Sequence, residues 1–233
     1  MYNAIRYELT RLTTVRSTWV LLLSGLLLQG LIAFGFTTKD DMTPREQFVG
    51  AFGGLPLVLV TLCFTAIAVN SFGHEYRYRT ITTTMLTLRR PGRVLAAKAL
   101  TSAAVAAFGA VAMVSLTLAM QAVNGGVPSE IWRIAQALGA VTLYTVLAAL
   151  VGLGIAAVTR NAVLAMVAAI GVPTVVEVGA MLLGVSPKLM PFTSAAMLVR
   201  PYTGVAALMS LPLLGLAAGL LCIGGVLLAR RDV

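Results

Sequence analysis

Six long apolar runs divide this sequence, each of the length that a lipid bilayer selects and a water-soluble core does not. They cover Ser17 to Phe36, Phe48 to Phe72, Val94 to Val123, Trp132 to Val158, Ala162 to Gly184 and Gly204 to Ala229. A hydrocarbon layer about 30 Å thick takes about 20 mostly apolar residues per helical crossing. Inside it the backbone must satisfy its own polar groups, which a helix does and an open strand does not. Of the 233 residues, 59% are hydrophobic and 11% charged, whereas a soluble domain is about 25% charged. The expected fold is an all-α integral membrane protein with six transmembrane helices, one domain over residues 1–233, and no room for a second, soluble domain.

The net charge of +9 does not by itself choose between nucleic acid and membrane, so the positions of the charges decide. With the N-terminus inside, one side of the membrane holds Arg6, Arg11, Arg16, Arg77, Arg79, Arg89, Arg90, Arg93, Lys98, Arg160, Arg230 and Arg231. The other holds Lys39, Arg45, Arg133, Lys188 and Arg200, a split of 12 against 5 of the 17 basic residues. Basic residues are retained on the cytoplasmic side, so both termini are expected in the cytoplasm, and no nucleic-acid partner is implied. Trp19, Trp132 and Tyr202 stand at span ends, as interfacial anchors do. A polar stretch, residues 1–16, precedes the first run, which is longer than a signal-peptide core, so the first helix is expected to be retained. Cys63 and Cys222 lie within apolar runs without metal or disulfide spacing and read as small core residues.

Three connecting segments carry further pattern. Tyr2, Ile5, Leu9 and Leu12 recur at helical spacing with Arg6 and Arg11 elsewhere around the helix, which fits an amphipathic helix on the inner leaflet; a frayed tail is the alternative. Between the second and third runs, Tyr78, Ile81, Met85 and Leu88 form an apolar stripe with Arg77, Arg79 and Thr82 to Thr84 off it, a short amphipathic helix ended by Pro91-Gly92. Read from spacing alone, this is equally a loop whose arginines fix topology and touch lipid phosphates. The segment from Val185 to Thr203 carries Pro187, Pro191 and Pro201 among apolar residues. It fits either a re-entrant loop, which needs protein or water to cover its backbone, or an ordinary external loop.

Little in the sequence suggests catalysis. His74 is the single histidine and has no second ligand at metal spacing. No phosphate-binding loop occurs, so ATP-driven work requires another subunit. The one carboxylate well inside a run is Glu177, with Thr174 three residues earlier on the same helical face. Intramembrane acids face a cavity or a polar partner and mark functional paths, so Glu177 and Thr174 are candidates for a polar path through the membrane. A Glu that only joins helices, or one that serves a proton-coupled carrier, is an alternative. A non-transporting membrane assembly factor is a further rival.

The residues Glu75-Tyr76-Arg77, Arg79-Thr80, Leu88, Pro91, Arg93 and Lys98, with the basic segment containing Glu8-Leu9 before the first span, make the chain similar to the permease subunits of type-2 ABC exporters. The resemblance runs through all six spans and includes the stretch from Pro173 to Glu177 and the loop containing Pro191. Where the family's loop often has Gly before the Thr, this sequence has Arg79. The resemblance implies a half-transporter that exports a hydrophobic or amphipathic compound, pairs with a second permease copy as a homodimer in the pattern of symmetric assemblies, and binds two separate ATPase subunits. It implies that ATP and Mg are bound by those subunits and none by this chain. It also implies that residues from Tyr76 to Leu88 form the coupling helix that docks on the ATPase, with Glu75, Tyr78, Arg79, Ile81, Met85 and Leu88 at or near the contact.

Overall fold

The computed structural model describes residues 2–39, 41–77, 91–124, 126–128, 130–199 and 206–231. All regular structure among the described residues is helical. The order is α1 (Tyr2–Thr14), α2 (Arg16–Thr37), α3 (Pro44–Phe52), α4 (Leu55–Arg77), α5 (Pro91–Asn124), α6 (Ile131–Thr159), α7 (Ala162–Gly171), a π-helical turn (Val172–Val176) and α8 (Glu177–Leu182). Short 3-10 turns at Pro187–Leu189, Met197–Val199 and Ala206–Ser210 flank α9 (Pro191–Ala196) and lead into α10 (Leu211–Arg231). Six helices, with α7 to α8 taken as one, are long and apolar enough to cross a membrane. The end of the bundle that carries α1 is the near end, and its opposite is the far end.

Helix α6 is the centre, with α4, α5, α7 and α10 packed around it. Apolar surface gains nothing by moving from lipid to a neighbouring helix, so association depends on close packing of small residues. Gly152 and Gly154 provide it. A Cβ at Gly152 would stand 2.5 Å from Thr65 Cγ2 on α4, and one at Gly154 would stand 2.7 Å from Leu220 Cβ on α10. Buried alanines 148, 149, 156 and 157 continue this surface. Outside it, α2 turns Val20, Leu23, Leu27, Leu31 and Phe34 outward, each at least half exposed in the isolated chain, the faces that lipid or another subunit covers. Helix α5 is the longest at 34 residues, or about 50 Å at 1.5 Å per residue, so it outreaches the hydrocarbon layer.

Several expected boundaries shift, each for a local reason. The second apolar run is not one helix. Thr43 caps α3 through a reciprocal capping box with Glu46, Pro44 opens it, and Gly53 with Gly54, whose φ is +59°, ends it before α4 begins at Leu55. Pro91 opens α5, in keeping with a residue whose missing N–H costs nothing at a first helical position. The fifth run is a single helix interrupted by the π-helical turn. The last begins its α-helical part only at Leu211. Cys222 is exposed and Cys63 half-buried, which corrects the reading of both as core residues.

Helix α1 packs one face on the bundle and leaves the other open. Ala4, Glu8 and Leu12 are buried, while Leu9 is 49% exposed. The packed face turns a carboxylate inward, because a buried partner for it lies on α5.

Candidate functional site

That partner is Lys98. It stands two turns into α5 and is fully buried. Its ammonium donates to Glu8 Oε1 at 2.6 Å, to Glu75 Oε1 at 2.7 Å and to the Ser71 carbonyl at 2.9 Å, which uses all three donors of a lysine. The Phe72 ring lies 5.0 Å from Nζ, within cation–π range. On α1, Arg11 forms an ion pair with Glu8 at 2.8 Å and also donates to the Ser71 carbonyl. One cluster thus joins α1, the last turns of α4 and the first turns of α5.

The charges in this cluster cancel in pairs. Glu8 with Arg11 is neutral within α1, and Glu75 with Lys98 is neutral between α4 and α5. Burying ions away from water costs several kcal/mol each unless they are paired and hydrogen-bonded, and here each has an opposite charge in contact. Nearby, Ser17 Oγ lies 3.4 Å from His74 Nε2, and Arg160 donates to the Leu227 carbonyl at 3.3 Å, tying the ends of α6 and α10 together at the same end of the bundle.

The residues expected at the coupling contact separate accordingly. Glu75 is inside the bundle, 2% exposed. Tyr78, Arg79, Ile81, Met85 and Leu88 lie outside the described residues, as does Tyr202. The described chain leaves the cluster at Arg77 and re-enters at Pro91, so residues 78–90 are attached at both sides to helices that Lys98 holds together. Sequence reading reached Glu8, Glu75 and Lys98 only as parts of a family pattern. It missed Arg11 as their partner, and no local signal marks that pairing.

Six helices thus cross the membrane, and a buried ionic cluster holds both flanks of the segment after the second. The model of a family described as ABC-2 family transporter protein matches residues 4–178. The chain belongs to the ABC-2 transporter family. It is a multi-pass membrane protein of the permease type, and the matched region contains Glu8, Arg11, Glu75 and Lys98. Comparison with curated proteins gives no match. In ABC-2 terms α4 and α5 are the second and third spans of the permease.

The other candidate residues are in the far half of the fifth span of this permease. Pro173 has no N–H to give the helix, and the chain widens there: the Glu177 amide bonds to the Val172 carbonyl, five residues back. An extra residue in a turn rotates the remainder of the helix by about 100° relative to an uninterrupted one. Glu177 is turned inward, 2% exposed. Its Oε1 accepts from the Phe192 amide at 2.8 Å, and its Oε2 accepts from the Thr193 amide at 2.8 Å and hydroxyl at 2.7 Å. Thr174 donates to the Ile170 carbonyl at 2.6 Å. The donors to Glu177 belong to α9, whose Phe192, Ser194, Ala195 and Ala196 are all buried. Phe192 borders a small void with Thr61, Tyr144, Ala148 and Pro173. Tyr144 is halfway along α6, so α9 packs against the middle of the central helix.

Proposed function

We propose that this permease is the membrane subunit of an ATP-driven exporter that moves a hydrophobic or amphipathic compound, such as a drug, antibiotic, lipid or peptide-like molecule, outward across the plasma membrane. Two copies pair, two ATPase subunits bind ATP and Mg at the near end, and that end faces the cytoplasm. The observation that carries the reading is the buried Glu8–Lys98–Glu75 cluster at the flanks of residues 78–90. A segment that receives force from an ATPase has to pass it to several spans at once, and this cluster connects α1, α4 and α5 at the segment's two attachments.

Coupling is then linkage: closure of the ATPase pair favours one access state of the permease, and the docked segment carries the difference in free energy. In that segment Ile81 and Met85 supply apolar contact with the ATPase and Arg79 sets orientation, while Glu75 acts from within the bundle by holding the end of α4. Charged groups at an interface add specificity more reliably than net affinity. The bias of basic residues toward the near end supports its cytoplasmic placement. Glu177 and Thr174 stand beside the cargo path within the half-transporter.

The test is co-purification. Met85→Asp or Ile81→Asp is expected to release the ATPase and to abolish its stimulation by the permease, with membrane insertion intact. Undiminished co-purification and turnover for both variants would overturn the coupling role of residues 78–90.

A further inference from the structure

From Val175 onward the fifth span turns most of its side chains away from the bundle. Val175, Val176, Leu182 and Leu183 are 60 to 87% exposed, and α8 packs mainly on the turn that precedes it. The connection onward is equally open: Gly184 has φ +88°, and Val185 and Leu189 are exposed. Glu177 is the exception in this stretch. Its two oxygens hold three donors from two consecutive residues of α9, whose Phe192, Ala195 and Ala196 are part of the central core. The partners Phe192 and Thr193 lie beyond the residues that the family model matches.

We infer that Glu177 is the positioning residue that retains α8 against α9, and that without it the far half of the fifth span swings on the π-helical turn Val172–Val176. The physical reasons are three. Three hydrogen bonds meet on one buried side chain, and a buried polar group stripped of its partners is expensive, so the contact is firm while it is made. Two of the three donors are first-turn amides of α9, which have no partner within their own helix. On the other side, Pro173 removes a rung from the helical ladder, and a widened turn with a missing rung is where a helix bends. The inference concerns the chain's own geometry and goes beyond the exporter reading.

The test places spin labels at Leu182→Cys on α8 and Ile131→Cys at the far end of α6, both exposed positions, with Cys63 and Cys222 replaced by Ser. The full-length permease in detergent is expected to give one narrow distance distribution. Glu177→Gln keeps the side chain's volume but turns an amide donor toward donors, so it is expected to broaden the distribution and add a longer component. Thr193→Pro removes the Thr193 amide and hydroxyl from the other partner at a first-turn position that tolerates proline, and it is expected to do the same. A distribution as narrow as the parent's in either variant overturns the inference. Neither ATPase nor cargo is needed, so this outcome is separate from failure of the exporter reading.

Discussion

Lys98 and Glu8 are 90 residues apart in the chain and 2.6 Å apart in the fold. Both side chains are buried. The pair fastens a helix that does not cross the membrane to one that does. Replacing Lys98 with Met leaves Glu75 and one oxygen of Glu8 without their opposite charge. Breaking a buried pair in this way costs about 3–5 kcal/mol, so a lower unfolding temperature of the detergent-solubilised protein is expected. Adding Glu75→Gln restores the charge balance, since Glu8 keeps Arg11, and recovers much of the loss. Equal unfolding temperatures for Lys98→Met and the parent would remove the cluster's structural role.

Topology is checked by labelling in intact cells, with the two native cysteines replaced. A membrane-impermeant thiol reagent is expected to reach Lys39→Cys, an exposed position at the far end, and to miss Arg16→Cys at the near end. Labelling of Arg16→Cys from outside would invert the orientation and displace the ATPase from the end that carries the cluster.

The packing of α6 predicts a contrast between glycines. Gly152→Val drives a branched side chain into Thr65, and overpacking of this kind costs about 1–3 kcal/mol. Gly219→Ala on α10 meets no atom within 4 Å, and replacing a helical glycine with alanine is neutral or stabilising when space allows. Thermal unfolding of the two variants side by side tests the difference, and similar losses for both would contradict the close approach of α4 to α6.

Helix α3 has a pH dependence of calculable sign. The Thr43 amide and hydroxyl donate to Glu46 and hold its carboxyl below the usual value. A carboxyl whose folded pKa is depressed stabilises the fold fully above its unfolded pKa and loses that contribution as pH falls through the folded one. Hydrogen-exchange protection of α3, corrected for intrinsic rates, is therefore expected to fall on acidification in the parent and to be lower but flat in Glu46→Gln. A parent profile as flat as the variant's would contradict the capping box.

The spans were legible because hydrophobic length is a local property, and α2, α5 and α6 end within a few residues of the apolar runs that announce them. The same averaging concealed the break at Gly53-Gly54, although Thr43-Pro44-Arg45-Glu46 spells a helix start. Periodicity did not reveal the face of α1 that packs on the bundle, for a deeper reason. It ranks Leu9 above Glu8 by polarity, and what reverses the ranking is Lys98, which no window around residue 8 contains. Glu177 was read as facing inward, since a lone acid among apolar residues has few other options, but its donors lie across a proline-rich loop whose path the sequence does not specify.

The order of synthesis gives the pairwise neutrality of the cluster a consequence for biogenesis. Glu8 emerges from the ribosome with Arg11 three residues behind it, so its charge has an opposite partner within α1 from the start. Glu75 finds its buried ionic contact only in Lys98, 23 residues later. Until then the end of α4 carries an acid without that partner, which keeps it at the water boundary, and the arrival of α5 both cancels the charge and creates the seat that α1 then occupies.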